Sequence, residues 1–251
     1  MLRVIRARLQ QGHRTMKYPD GPPPAMPARF RGMPALDGSK CAAGCQACAK
    51  VCPTGAVDVA RGLRIDLGRC LFCGECAVAC PAGAIRFTAD YRLAARKREA
   101  LWADSRAYAL AESLGADLRR VLGRALRLRQ VSAGGCNACE ADANVLTTVG
   151  WDIGRFGIQF VASPRHADGL LVTGPVTQNM RLALEKTWAA VPAPKIVIAS
   201  GACAIAGGPY IGHPEVCNGA ATVVPVDLFV PGCPPHPLTL LDGLLRLLGR
   251  V

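Results

Sequence analysis

Twelve of the thirteen cysteines in this 251-residue chain fall into three sets of four, and no other feature restricts its fold so strongly. Cys41, Cys45, Cys48 and Cys52 form one run, Cys70, Cys73, Cys76 and Cys80 a second, and each run is closed by a proline, Pro53 or Pro81. The third set is dispersed: Cys136 and Cys139 lie close together while Cys203 and Cys233 arrive much later, so separate loops must converge on one site. Each set has the spacing of an iron–sulfur cluster site. Disulfides are the competing use of so many thiols, but an odd count, tight C-x2-C spacing and no recognisable secretory signal peptide argue against them. Zinc sites usually use two separated C-x2-C pairs rather than a four-cysteine run with a proline repeated in tandem. Thiolates kept for metal predict a reducing compartment, hence the cytoplasm.

The two runs are copies of each other. Cys45, Cys48, Cys52, Pro53, Gly55 and Ala56 recur 28 residues later as Cys73, Cys76, Cys80, Pro81, Gly83 and Ala84, which is an internal repeat. In a two-cluster ferredoxin the first three cysteines of one motif and the last of the other hold each cluster. On that pattern one [4Fe-4S] cluster takes Cys41, Cys45, Cys48 and Cys80, and the other takes Cys70, Cys73, Cys76 and Cys52. Such a backbone wraps a cubane with its amide N–H groups facing the sulfurs, and the proline fixes φ where the chain leaves. One departure is visible: three residues separate Cys41 from Cys45, where two separate Cys70 from Cys73. Gly44 is expected to absorb the extra residue as a bulge, and a less standard first cluster, a three-iron form included, stays open.

The length suits two modest domains. Residues 36–92 have short apolar stretches and eight cysteines, so metal must replace much of the core that so small an α+β domain cannot build. Within them Val57–Val59 and Leu63–Ile65 suggest a hairpin around Arg61-Gly62, and Ala84–Phe87 a further strand. Residues 93–125 read as a helical basic connector, with Leu118, Val121, Leu122, Ala125 and Leu126 as one apolar stripe. The net charge of +12 comes from residues 1–40, with eight Lys/Arg against two acids, and residues 91–130, with ten against four. With 5% aromatics and no groove-reading or base-stacking motif, the basic segments fit acidic partner subunits or anionic headgroups rather than nucleic acid. Residues 1–35 form a basic arm, extended by prolines between Gly21 and Met33. At its start Leu2, Ile5 and Leu9 follow helical spacing while Arg3, Arg6 and Arg8 crowd the remaining arc, as in a short helix lying on a membrane surface. A frayed terminus is the plainer alternative. No apolar run approaches the roughly 20 residues of a membrane span.

From residue 126 to 251 strand-like apolar runs at about Leu126–Val131, Gly157–Val161, Gly169–Val172 and Ile196–Ala199 alternate with helical segments, including one at Asn179–Ala190. This predicts a parallel, flavodoxin-like α/β sheet. Ligands of open α/β sheets sit beyond the carboxyl ends of the strands. Cys136 follows the first strand, Cys203 the Ile196–Ala199 strand and Cys233 the Val226–Val230 run, so one cluster held by Cys136, Cys139, Cys203 and Cys233 is expected at that edge. A helix after Cys139 would aim its N-terminal amides at the site.

Gly135-Cys136-Asn137-Ala138-Cys139-Glu140, continuing to Asp142, Asn144 and Leu146, resembles the proximal-cluster motif of small subunits of energy-converting, membrane-bound [NiFe]-hydrogenases. Ser163–Asp168, Val172–Thr177, Gly201-Ala202-Cys203-Ala204 and Pro231-Gly232-Cys233-Pro234-Pro235 match that family too. Residues 1 to about 100, with Tyr18-Pro19 and Phe30-Arg31-Gly32, resemble the polyferredoxin-like subunit of formate hydrogenlyase, so two subunits usually encoded separately look fused. Both modules are also similar to the 20 kDa (B-type) and 23 kDa (I-type) subunits of NADH:quinone oxidoreductase. In that family the motif usually begins with two adjacent cysteines; here Asn137 and Ala138 stand between them, which favours the hydrogenase side.

The resemblance implies an electron-transfer subunit with three [4Fe-4S] clusters and no self-contained active site. Its partners would be a hydrogenase-like large subunit with or without a NiFe site, integral membrane subunits, and an electron donor such as ferredoxin or a formate or CO dehydrogenase. Its place would be peripheral, on the cytoplasmic face of the cytoplasmic membrane. The alternative is a complex I-like, quinone-reducing module. Glu140 reads either as a proton-route residue or as a plain acid at a helix N-terminus. Arg165 and His166 suit either a cluster-tuning loop or a structural role. Cys217 matches no ligand spacing, and His13, His213 and His236 have no evident partner.

Overall fold

The computed structural model describes residues 2–12, 14–106, 108–122 and 125–251; His13 lies outside them. The chain opens with α1 (Leu2–Gln11), a helix with every residue exposed. The cysteine-rich half follows, with β1 (Pro34–Leu36), α2 (Ala47–Lys50), β2 (Val57–Asp58), β3 (Arg64–Asp66), α3 (Glu75–Val78), β4 (Ile85–Phe87) and β5 (Trp102–Ala103). β1 pairs antiparallel with β4, and β3 lies between β2 and β5 in a second small antiparallel sheet. The expected hairpin around Arg61-Gly62 is the β2–β3 pair, with Val57 opposite Ile65.

The expected helical connector is mostly not helical. Residues 93–115 hold one 3-10 turn, Arg98–Leu101, and β5; among the described residues the only α-helix before residue 126 in this stretch is α4 (Ala116–Leu122). Long-range contacts override local preference here. Ala95 exchanges backbone hydrogen bonds with Phe229 (3.0 and 2.8 Å), Arg98 forks onto Asp66 (2.7 and 2.6 Å), and the Tyr108 hydroxyl donates to the Leu93 carbonyl (2.8 Å). The predicted stripe splits accordingly. Leu122 and Leu126 are buried, whereas Val121 is exposed and Leu126 already opens a strand.

The second half is an α/β unit of β6 (Leu126–Ser132), α5 (Ala138–Val145), β7 (Ile158–Phe160), β8 (Gly169–Thr173), α6 (Gln178–Ala190), β9 (Ile196–Ser200), α7 (Ala202–Ala206), β10 (Leu228–Val230) and α8 (Pro237–Leu247). Its five strands are all parallel in the order β10-β9-β8-β6-β7. Counted within the sheet that is 2-1-3-4-5, the flavodoxin-like order, with its switch point between β6 and β8. Side chains alternate between two cores, as parallel strands covered on both faces require. Leu171, Ile196 and Ile198 join α8, α5 and Leu122 on one face; Leu170, Val172, Val197 and Ala199 share the other with Ile65, Leu67 and Leu101 of the cysteine-rich half.

The basic arm is not free along its length. Tyr18 is buried, its hydroxyl donating to Asp242 of α8 (2.8 Å), and Arg155 donates to the carbonyls of Met16 and Tyr18 (2.6 Å each). Further on, the Gly32 and Met33 amides donate to Thr88 and Asp90 (2.8 Å each). The arm therefore runs from the α/β unit to the cysteine-rich half as a strap.

Candidate metal centres

The first cavity is walled by Cys41, Cys45, Cys48 and Cys80, with Val59, Leu63 and Ile85 behind them. Cys41 leaves the 3-10 turn Gly38–Lys40 and Cys48 sits in α2. Gly44, in the longer first spacing, has φ +74°, a conformation glycine enters without strain. A second cavity is walled by Cys52, Cys70, Cys73 and Cys76, with Val57, Ile65 and Phe87. The repeat is geometric as well as sequential: the Ala56 amide donates to Cys52 Sγ (3.2 Å) and the Ala84 amide to Cys80 Sγ (3.3 Å), while Gly55 and Gly83 both have φ +60°. The Phe72 amide donates to Cys70 Sγ (3.3 Å).

The dispersed cysteines meet at the carboxyl edge of the parallel sheet, as ligand sites of such sheets do. Cys136 follows β6, Cys139 stands in the first turn of α5, Cys203 is in α7 after β9, and Cys233 follows β10. The helix thus contains Cys139 rather than following it. Its N-cap, Asn137, is left-handed (φ 70°), so the two residues between the cysteines make the turn that sets Cys136 outside the helix and Cys139 within it. The other three thiols lie close enough to Cys139 to disfavour its ionisation: Cys203, Cys233 and Cys136 all act on it. Backbone crowds them, for a Cβ on Gly201 (φ +93°) would lie 2.6 Å from Cys139 Sγ.

Burial is the main cause that raises several of these thiols. It carries Cys70 up to about 12 and Cys76 and Cys203 up to about 11, with neighbouring thiols adding to the rise. Cys48, Cys139 and Cys233 move the same way for the same first reason. Buried thiols crowded by other thiols ionise readily only when a strong positive charge stands among them. Thiol-only donors around a small hollow, with amides aimed at sulfur, fit an iron–sulfur group.

Glu140 is 5% exposed, and its Oε1 accepts from the Ser132 and Thr173 hydroxyls (2.6 Å each). Desolvation pushes this carboxyl up, but the hydroxyls and its own amide outweigh it and leave it below the usual carboxylate range. Ser132 and Thr173 close β6 and β8 at the switch point; Thr173, a polar residue ending the apolar strand β8, was the signal that sequence reasoning passed over. His236 does have partners. Its Nδ1 accepts from the Leu238 amide (3.1 Å) at the start of α8, and its ring meets Phe30 and Trp151 edge-on (5.4 and 5.9 Å). Arg165 and His166 lie in the 3-10 turn Pro164–His166, and Cys217, whose Sγ lies 3.6 Å from Gln178 Oε1, lines neither of the two cavities of the paired runs.

A parallel α/β unit with four thiols at its switch-point edge, joined to a half built on two cysteine runs, defines an iron–sulfur protein of two modules. Residues 136–247 match the family described as NADH ubiquinone oxidoreductase, 20 Kd subunit, and residues 63–86 match a 4Fe-4S binding domain. The chain is 40% identical over 136 residues to the probable membrane-bound hydrogenase subunit mbhJ of Pyrococcus furiosus, covering 54% of this chain and 81% of that protein. It is 42% identical over 118 residues to the B-type subunit of the NADH-quinone oxidoreductase of Clostridium beijerinckii (47% and 70%). With formate hydrogenlyase subunit 7 of Escherichia coli it shares 42% identity over 137 residues, 55% of this chain and about half, 54%, of that one. The chain belongs to the family of the 20 kDa subunit of NADH:ubiquinone oxidoreductase, with a 4Fe-4S binding domain ahead of the family's own.

Proposed function

We propose that the chain is the electron-transfer subunit of a membrane-associated [NiFe]-hydrogenase-type complex, relaying electrons through three [4Fe-4S] clusters to or from an active site on a partner large subunit. Cys41, Cys45, Cys48 and Cys80 hold the first and Cys70, Cys73, Cys76 and Cys52 the second, as a two-cluster ferredoxin-like domain; Cys136, Cys139, Cys203 and Cys233 hold the third. Such clusters supply one-electron transfer when bound. The amides of Ala56, Phe72 and Ala84 stabilise the thiolates that hold them.

The observation that carries this reading is the contiguity of the three sets. Cys48 acts electrostatically on Cys76, across the first and second sets, and Cys73 acts on Cys233, across the second and third. Each set therefore has a thiol near a thiol of the next, within a single chain. Glu140, buried beside the third set, would serve a proton route toward a partner's active site.

No helix among the described residues is long and apolar enough to cross a membrane. Attachment falls to α1, whose Leu2, Ile5 and Leu9 are exposed beside Arg3, Arg6 and Arg8, a composition suited to the cytoplasmic leaflet or to membrane subunits of the same complex. Electrons would come from a donor such as ferredoxin or a formate or CO dehydrogenase.

Iron analysis with EPR of the purified chain should find about twelve irons in three cubanes; about eight would remove one site. The native complex should evolve or take up hydrogen and carry nickel in its large subunit. The second reading, a quinone-reducing module of the complex I type, predicts reduced quinone as product and a large subunit without nickel. The two-residue spacer Asn137-Ala138, used to start α5, favours the hydrogenase reading.

A further inference from the structure

The motif Phe30-Arg31-Gly32 belongs to none of the cysteine sets, yet it lies where two of them meet. Phe30 touches His236, three residues beyond Cys233. Gly32 is locked to the cysteine-rich half through the Thr88 carbonyl, and a Cβ there would collide with the Asp90 carbonyl oxygen (2.0 Å). Arg31 is held between these anchors. It lies across the backbone beside Cys73: its Nε is 2.6 Å from where a Cβ on Gly74 (φ +86°) would stand, and its Nη1 donates to the Phe72 carbonyl (3.5 Å). Phe72 itself is left-handed (φ 54°), an uncommon state for an aromatic residue that persists only where its surroundings hold it.

Arg31, Phe72, Cys233, His236 and Asp142 line one cleft of about 210 Å³. Cys73, next to Gly74, and Cys233, in this cleft, are both exposed. Arg31 has no carboxylate within ion-pair distance among the described residues; Asp142, in the same cleft, makes no ion pair with it. Among the described residues the charge therefore has no ion-pair partner.

We propose that Arg31 is a positioning residue for electron transfer: it holds the Phe72–Gly74 loop against the Cys233 loop and raises the reduction potential of the group held by Cys52, Cys70, Cys73 and Cys76. This rests on the cluster assignment of the preceding section. A fixed cation favours the more negative, reduced state of an anionic group beside it. An exposed guanidinium at this range is worth about tenfold in that equilibrium, or about 59 mV for one electron.

The test is an EPR-monitored redox titration of the iron-loaded full chain, with iron content measured alongside. Arg31→Gln should keep its iron, lower one midpoint by about tenfold in equilibrium terms and leave the first set's signal in place. Arg31→Lys should restore most of the shift. Unmoved midpoints at full iron overturn the proposal, and so does an equal shift of all three signals, which marks a general loosening. If Arg31→Gln loses iron, the lysine variant decides: full iron with a near wild-type midpoint supports the charge role, whereas loss of iron there too makes Arg31 purely structural and overturns it. A wild-type chain lacking a second-set cubane signal would instead sink the cluster assignment.

Discussion

The two halves hold cysteines in opposite ways. In residues 41–87 the ligand runs are local and the scaffold is slight, with helices of four residues and strands of two or three. In residues 126–251 the scaffold is a five-stranded sheet buried on both faces, and the cysteines stand on loops and first helical turns at its edge. The first half is arranged around its sites, whereas the second would stand without one. Metal should therefore be a folding ligand for the former and a passenger on the latter.

The largest expected effect follows from that contrast. Removing iron from the reduced chain with a chelator should unfold residues 41–87 while leaving the parallel sheet intact. Amide hydrogen exchange would show full exchange in β2, β3 and β4 with β6, β8 and β9 still protected. Continued protection of the cysteine-rich half would break the comparison, because its small apolar core would then suffice alone.

Next in size is an ion pair inside the cysteine-rich half. Asp66 is 4% exposed and accepts a two-pronged hydrogen bond from Arg98, itself 28% exposed, and Asp66 also caps the Gly68 amide (2.9 Å). Removing one partner of a buried pair strands the other. Arg98→Ala should cost about 3–5 kcal/mol in denaturant unfolding of the iron-loaded chain. A loss under about 1 kcal/mol would mean that this half holds its shape without the pair.

The dispersed site predicts a more local loss. Gly201 occupies a left-handed position with Cys139 Sγ where a side chain would begin. Gly201→Ala should cost about 1–3 kcal/mol through crowding and specifically empty the third set, leaving iron in the paired runs. Loss of iron from all three sets would show that the edge of the sheet supports the first half too.

What could be read from the chain follows the same division. Ligand spacing is a covalent property, so Cys41 to Cys80 were legible as two interleaved sets; β6, β8, β9 and α6 were legible because apolar runs and helical periodicity persist over enough residues to be distinctive. Residues 93–115 were not, because their shape is set by Phe229 and Asp66, far away in sequence. Nor was the docking of the arm, which depends on Tyr18 reaching Asp242 across 224 residues. Glu140 was visible beside Cys139, but its two hydroxyl partners come from different strands and only the strand order brings them together.

The thirteenth cysteine should have the smallest effect, and it separates burial from ligation. Cys217 is half-buried, with its amide donating to the Val176 carbonyl (2.8 Å) and its thiol making only a long contact to Gln178. A serine keeps the backbone bond and the weak donor while removing a metal-binding sulfur. Cys217→Ser should therefore leave the iron content unchanged and the unfolding free energy within about 0.5 kcal/mol. A drop in iron would reassign Cys217 as a ligand, and the division into three sets of four would have to be redrawn around it.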